Sequence, residues 1–248
     1  MHPLSGFIDP EVLIGETKAT TIDEVRSISV VTLTGATSYG GNSGELGNST
    51  DTNLLLALRR WSDVVLVGGE TVRAENYGGV SVAPGYRTAR LRRGQSGVPP
   101  VAVVTRSFNF SPRSRLFTEA AVGPLFLAPD ASCTDPALDR ARKQVISAGG
   151  VIVPTGGGTA TDIVGTLRAR GHHRIICEGG ARLLGQLTRA GLVDVRHVTI
   201  DPSLTLPVDP PLIAPPTERG TSGPERYRLR LSDVRATEDG CVFLRYVR

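Results

Sequence analysis

The residues best suited to chemistry stand in "RIICEGGARLLGQL", Arg174 to Leu187, where an apolar run meets a carboxylate, Glu178, and then two glycines. A strand–Gly–Gly–helix junction lets the backbone approach a ligand closely while the first helical N–H groups point outward. Such a terminus attracts phosphate through its unsatisfied donors and its dipole. Gly179 and Gly180 would form the turn, and Ala181, Arg182, Leu183, Leu184 and Gly185 the first helical turns. The same residues also suit a tight turn that only packs helix on strand, because the string is not GxGxxG; spacing leaves both readings open. A second pair, Gly68-Gly69, also follows an apolar run, with Thr71 just after it. Two such turns at the carboxyl ends of parallel strands would share the edge where open α/β sheets bind ligands.

Other chemistries find little support. The cysteines, Cys133, Cys177 and Cys241, are odd in number and form no CxxC, so no disulfide framework, zinc site or other metal centre is expected. Of the four histidines, His172 and His173 follow a predicted helix stop at Gly171, and His197 lies inside an alternating strand; both placements read as structural. The net charge of +4 suits a small anionic ligand, while the 5% aromatic content and the lack of a long Lys/Arg block argue against nucleic acid. "MHPLSGFIDPEVLIGE" has neither a positive start nor an uninterrupted apolar core. No signal peptide or membrane span is read there, and a cytoplasmic protein is expected.

The elements that must position these residues alternate between β and α patterns. Strands are predicted over 27–35, 63–72, 101–107, 124–129, 151–155 and 193–202, with another at Ile175–Cys177 ending on the glycine turn. Helices are predicted over 51–61, capped from among Ser49, Thr50 and Asp51, and over 134–150, capped by Asp135 with Pro136 in the first turn. A third covers 159–171, capped by Thr161. The Gly-, Arg- and Pro-rich stretch 75–100 reads as a long loop, and 203–224 as a surface connection. Residues 226–248 alternate on both sides of Glu238-Asp239-Gly240, the pattern of an antiparallel hairpin. Strand–helix alternation followed by a hairpin predicts an α/β fold: a mostly parallel central sheet flanked by helices, with a C-terminal antiparallel hairpin. Residues 1–26 read as an N-terminal extension and 27–248 as a single domain.

The order "TLTG…GNSGEL…LRRWSDVVLVGGETV…VVTRS…IICEGGARLLG" resembles the pyrimidine reductases of riboflavin biosynthesis, dihydrofolate-reductase-like domains that often follow a deaminase domain in bacteria. The likeness runs from about Ser27 to the C-terminal hairpin. It implies a dihydrofolate-reductase-like fold, NADPH as hydride donor and a homodimer. Position by position, it puts Thr32 beside the nicotinamide, Ser43 against substrate, and Gly68 with Thr71 against the cofactor. Glu75 takes the place of an aspartate near the nicotinamide ribose. Thr105, Arg106 and Ser107 would hold the adenosine 2′-phosphate, where an arginine favours NADPH over NADH. Gly179 would admit the cofactor, Gly180 to Gly185 would wrap the pyrophosphate, and Glu178 would face the substrate as the candidate for orienting or protonating it.

Two departures bear on the substrate. Thr34 replaces the acid of the family's Ser-Leu-Asp-Gly, and "AENYGGVSV" lacks the arginine expected to bind the substrate's phosphate. Arg87, Arg90, Arg92 and Arg93 offer a replacement, or else a solvated loop. No deaminase-like zinc motif precedes the reductase region. The reaction implied is hydride transfer to C1′ of a ribosylamino group on a phosphorylated pyrimidine. The alternatives are a same-fold reductase acting on a pterin or dihydrofolate-like substrate, and a non-catalytic NADPH-binding protein.

Overall fold

The computed structural model describes residues 6–208, 210–214 and 225–248; part of the predicted 203–224 connection lies outside them. Along the chain come α1 (Pro10–Ile14), β1 (Glu24–Thr32), α2 (Ser49–Trp61), β2 (Val64–Gly68), α3 (Gly69–Ala74), α4 (Pro84–Arg92), β3 (Val101–Val104) and α5 (Arg115–Thr118). There follow β4 (Leu125–Ala128), α6 (Asp130–Thr134), α7 (Asp139–Ser147), β5 (Val151–Pro154), α8 (Ala160–Ala169), β6 (Arg174–Cys177) and α9 (Ala181–Arg189). The chain closes with β7 (Val195–Asp201), β8 (Arg230–Ala236) and β9 (Val242–Val247).

One sheet runs in the order β5-β4-β3-β2-β6-β1-β7-β9-β8. Pairings from β5 across to β7 are parallel, while β7–β9 and β9–β8 are antiparallel. This is the expected architecture, hairpin included. Strands β2, β4 and β6 are apolar nearly throughout because helices cover both faces. Alternation along β2 divides the core: Val65 and Val67 pack with Leu54, Leu58 and Trp61 of α2, and Val64 and Leu66 with Ile163 and Leu167 of α8 and Leu183 and Leu187 of α9. Leu13 and Ile14 of α1 join the first cluster.

Several predicted boundaries shift for local reasons. Asn48, not Ser49 to Asp51, caps α2, its side chain accepting from the Thr50 and Asp51 amides at 2.9 and 3.1 Å. Thr159, not Thr161, caps α8 and forms a reciprocal capping box with Asp162. The predicted helix 134–150 is broken: Asp135 caps a short 3-10 turn at Pro136–Leu138 before α7 begins. β2 stops at Gly68, so Thr71 sits on the short helix α3 rather than on a strand.

The largest correction is α4, inside the stretch predicted as loop. It starts on Pro84 and buries a single residue, Arg90, so it has no apolar stripe for periodicity to reveal. The Arg90 guanidinium anchors it, donating to the carbonyls of Arg60, Ser62 and Ser96 at 2.5, 2.7 and 2.9 Å.

Candidate active site

Because β6 inserts between β1 and β2, the two glycine turns come side by side. The Gly68 amide donates to the Gly179 carbonyl at 2.9 Å. Gly179 has φ +97°, and the peptide joining it to Gly180 is cis. A Cβ on Gly180 would meet Thr71 Oγ1 at 2.4 Å, and one on Gly68 would meet the Gly180 nitrogen at 3.3 Å. Glycine is therefore required here by close approach of two loops. Gly180 is the N-cap residue of α9 and supplies no side-chain acceptor, so the helix presents its first amides to the space in front of it.

That space is a cleft of about 1200 Å³ over the carboxyl ends of the central strands. Gly68, Thr71, Glu75, Ser43, Glu178, Gly179, Gly180 and Ala181 to Leu184 all line it, and so do Thr105, Arg106 and Ser107 after β3. Thr105 is buried while Arg106 and Ser107 are exposed on the rim. Two predicted site residues are not on the wall. Thr32 is buried, its hydroxyl within hydrogen-bond range of Thr34 at 2.9 Å and Thr205 at 3.2 Å. Gly185 faces Ile213 and Ala214 instead. The helical turn carries it away from the cleft, and β1 presents Ile28, Ser29 and Val30 to the cavity rather than its last residue.

Glu178 stands on the wall and does not cap the amides of its own turn. Arg59 Nε donates to its Oε1 at 2.7 Å and Nη2 to its Oε2 at 2.6 Å, a two-pronged pair with side chains 17% and 5% exposed. The Tyr77 hydroxyl also donates to Oε2, and Arg59 Nη2 reaches that hydroxyl at 2.8 Å. Burial would lower the Arg59 pKa, but Glu178 and Tyr77 outweigh it and hold the guanidinium charged. Burial, reinforced by Glu178, raises the Tyr77 pKa well above its ordinary value. Glu75 is also engaged: its oxygens accept the Ser43 amide at 3.1 and 3.3 Å, tying the "GNSG" loop to the end of α3.

Sequence reasoning missed Arg59, Tyr77 and Asp51. Asp51, Leu55 and Arg59 all line the cleft, and their i, i+4 spacing along α2 was the available signal. Asp51 Oδ1 accepts from the Thr199 hydroxyl. Burial raises the Asp51 pKa, Thr199 opposes the shift, and the charge of Asp201 adds to it. A carboxyl whose pKa is shifted on a cleft wall is one mark of a functional group. By contrast, Arg87, Arg90, Arg92 and Arg93 are absent from the cleft lining; α4 turns them elsewhere. Among the described residues, no His/Cys/Asp/Glu group is placed to hold a metal ion, and no helix is long and apolar enough to cross a membrane.

A family model, the RibD C-terminal domain, matches residues 23–243. Among solved structures, the chain is similar to a pyrimidine reductase-like protein from Corynebacterium diphtheriae, with 30% identity over 96% of this chain and 97% of that one and a TM-score of 0.83. RibD from Acinetobacter baumannii is 16% identical over 92% of this chain and 58% of its own, with a TM-score of 0.67. The Saccharomyces riboflavin biosynthesis reductase Rib7 is 17% identical over 94% and 93%, with a TM-score of 0.58. The last two likenesses speak for the fold alone. No curated protein sequence matches the chain.

Proposed function

The chain belongs to the RibD C-terminal domain family, and on that premise we propose that it is an NADPH-dependent reductase of riboflavin biosynthesis. Its substrate in this reading is a 5-amino-6-ribosylamino-pyrimidine 5′-phosphate, reduced at C1′ of the ribosylamino group. The observation that carries the reading is the pair of apposed glycine turns beneath the uncapped N-terminus of α9, a backbone cradle that a Cβ would fill. Arg106, on the neighbouring strand end, supports the choice of NADPH over NADH.

When bound, NADPH supplies the hydride, and the protein's share is position and charge. Gly68, Thr71 and Gly179 to Leu184 would hold the pyrophosphate; Thr105, Arg106 and Ser107 would hold the 2′-phosphate. Glu75 acts by fixing Ser43 and its loop at the substrate end. The Arg59–Glu178–Tyr77 cluster orients the pyrimidine, since both Glu178 oxygens already accept hydrogen bonds. Reduction of a C=N carbon leaves its nitrogen needing a proton, and we assign that proton to Asp51, a carboxyl on the cleft wall. We read residues 27–248 as one reductase domain, and a homodimer follows from the family resemblance.

The direct test is a fluorescence titration with NADPH and NADH, then addition of 5-amino-6-ribosylamino-uracil 5′-phosphate. Tighter NADPH binding and substrate-dependent loss of nicotinamide absorbance are expected; failure to bind either nucleotide would sink the reading of the glycine turns. One observation favours a second reading. The arginines of α4 do not reach the cleft, and Thr34 donates to the Thr205 carbonyl at 3.0 Å where the family has an acid. Oxidation of NADPH by a dihydropterin or dihydrofolate, but not by the ribosylamino-pyrimidine, would establish a same-fold pterin reductase. Binding without turnover of any of these would establish the non-catalytic alternative.

A further inference from the structure

At the opposite end of the sheet, where the strands begin, α1, α2, α4 and the first residue of β6 enclose a cavity of about 320 Å³. Arg60, Arg90, Arg93 and Arg174 line it together with Trp61 and Tyr86. We propose that this cavity is a second binding site, for a small phosphate-bearing molecule, separate from the cleft and independent of the reductase reading.

Three of the residues that line it each keep a buried donor without a partner. Arg90 Nη2, Arg174 Nε and Trp61 Nε1 make no hydrogen bond, in residues 1%, 5% and 5% exposed. Buried donors are normally satisfied, and three unsatisfied ones in residues around one cavity leave this part of the protein short of acceptors. The rest of each guanidinium is fixed. Arg90 is held by the three carbonyls already described, and Arg174 donates to the Lys18 carbonyl. The rings add to this, with the Arg174 guanidinium 5.5 Å from the Trp61 ring centroid and that of Arg60 4.3 Å from the Tyr86 ring.

The charge is also unbalanced. Among the described residues no carboxylate pairs with Arg90, Arg93 or Arg174, and Arg60 meets only the exposed Glu11, at 3.5 Å. Asp63 and Glu24 lie near, but Asp63 spends its oxygens on Gln95 and on the amides of His173 and Arg174, and Glu24 pairs with Arg26. Burial, then the charges of Arg93 and Arg174 against partial relief from Asp63, bring the Arg90 pKa down to about 10. An anion would remove that repulsion. The volume is at the lower end of the range for small-molecule sites, which fits a pyrophosphate or a sugar phosphate.

Trp61 is the only tryptophan of the chain, so its fluorescence reports this cavity directly. The full chain would be titrated with pyrophosphate, inorganic phosphate and citrate, followed by Arg93→Glu and, as a cleft control, Arg106→Gln. Arg93 is exposed, so its replacement leaves the fold intact; an unchanged unfolding midpoint checks this. The expected result is a saturable Trp61 signal with pyrophosphate that weakens about tenfold or more in Arg93→Glu and is unchanged in Arg106→Gln. No saturable signal, a signal equal in Arg93→Glu, or loss in Arg106→Gln instead would each overturn the site. Binding of citrate but not of either phosphate would overturn the ligand class.

Discussion

The two ends of β6 present hydrogen-bond donors by opposite means. At its carboxyl end the chain removes side chains: Gly179 and Gly180 bring backbone amides to the cleft, and α9 begins without a cap. At its amino end the chain buries long cationic side chains, Arg174 beside Arg90, and leaves some of their donors unspent. A backbone cradle demands close approach and tolerates no Cβ, whereas a guanidinium cavity demands that charge be held in low dielectric without a carboxylate. The first costs conformational freedom and the second costs desolvation.

The contrast can be broken most sharply at Arg59, a half-buried cation of the cleft held by Glu178 and Tyr77. Arg59→Leu strands Glu178 and Tyr77, and should lower unfolding stability by about 3 kcal/mol or more, read from urea midpoints. The double variant Arg59→Leu/Glu178→Leu should recover part of that loss; no recovery would show that the pair is not coupled. Gly180→Ala comes next. Its Cβ would press on Thr71 Oγ1, and NADPH affinity should fall by roughly a hundredfold, about 2.7 kcal/mol. Unaltered NADPH binding would remove the cradle from the argument.

A smaller effect should separate the cleft's side-chain contribution from its backbone one. Arg106→Gln should weaken NADPH by about tenfold and leave NADH nearly unchanged, in line with loss of one charge-assisted contact. Equal loss for both nucleotides would take the 2′-phosphate away from Arg106.

A test by pH rather than by ligand concerns the positive charge around His197. His197 is buried, and burial, with Arg26 and Arg245 adding to it, brings its pKa down to about 3 from 6.5. The native state thus holds it neutral, so its contribution is complete above pH 6.5 and is lost as pH falls from there toward 3. The loss should approach 1.4 kcal/mol per pH unit at most. His197→Leu should show a shallower decline in unfolding midpoint between pH 6.5 and 4; a parallel decline would assign the acid sensitivity to other groups.

Much of this was legible in the chain itself. Apolar runs ending on Gly68-Gly69 and Gly179-Gly180 mark strand ends, because glycine is the local device for a turn that must admit other backbone. The alternation on both sides of Glu238-Asp239-Gly240 marks β8 and β9, because a one-residue slip would turn each strand inside out. α4 escaped notice because an arginine, not an apolar stripe, anchors it.

Periodicity records which face of an element is buried, and so it determined the parallel sheet, its hairpin and both glycine turns. It carries no record of which strand lies beside which. Only the insertion of β6 between β1 and β2 brought Gly68 to Gly179 and placed Arg59 on Glu178, 119 residues away along the chain. Only the packing of α4 on the end of α2 gathered Arg60, Arg90 and Arg174 around one cavity. A charged residue's partner is chosen by proximity across the fold, and that proximity exists only once the strands have taken their order.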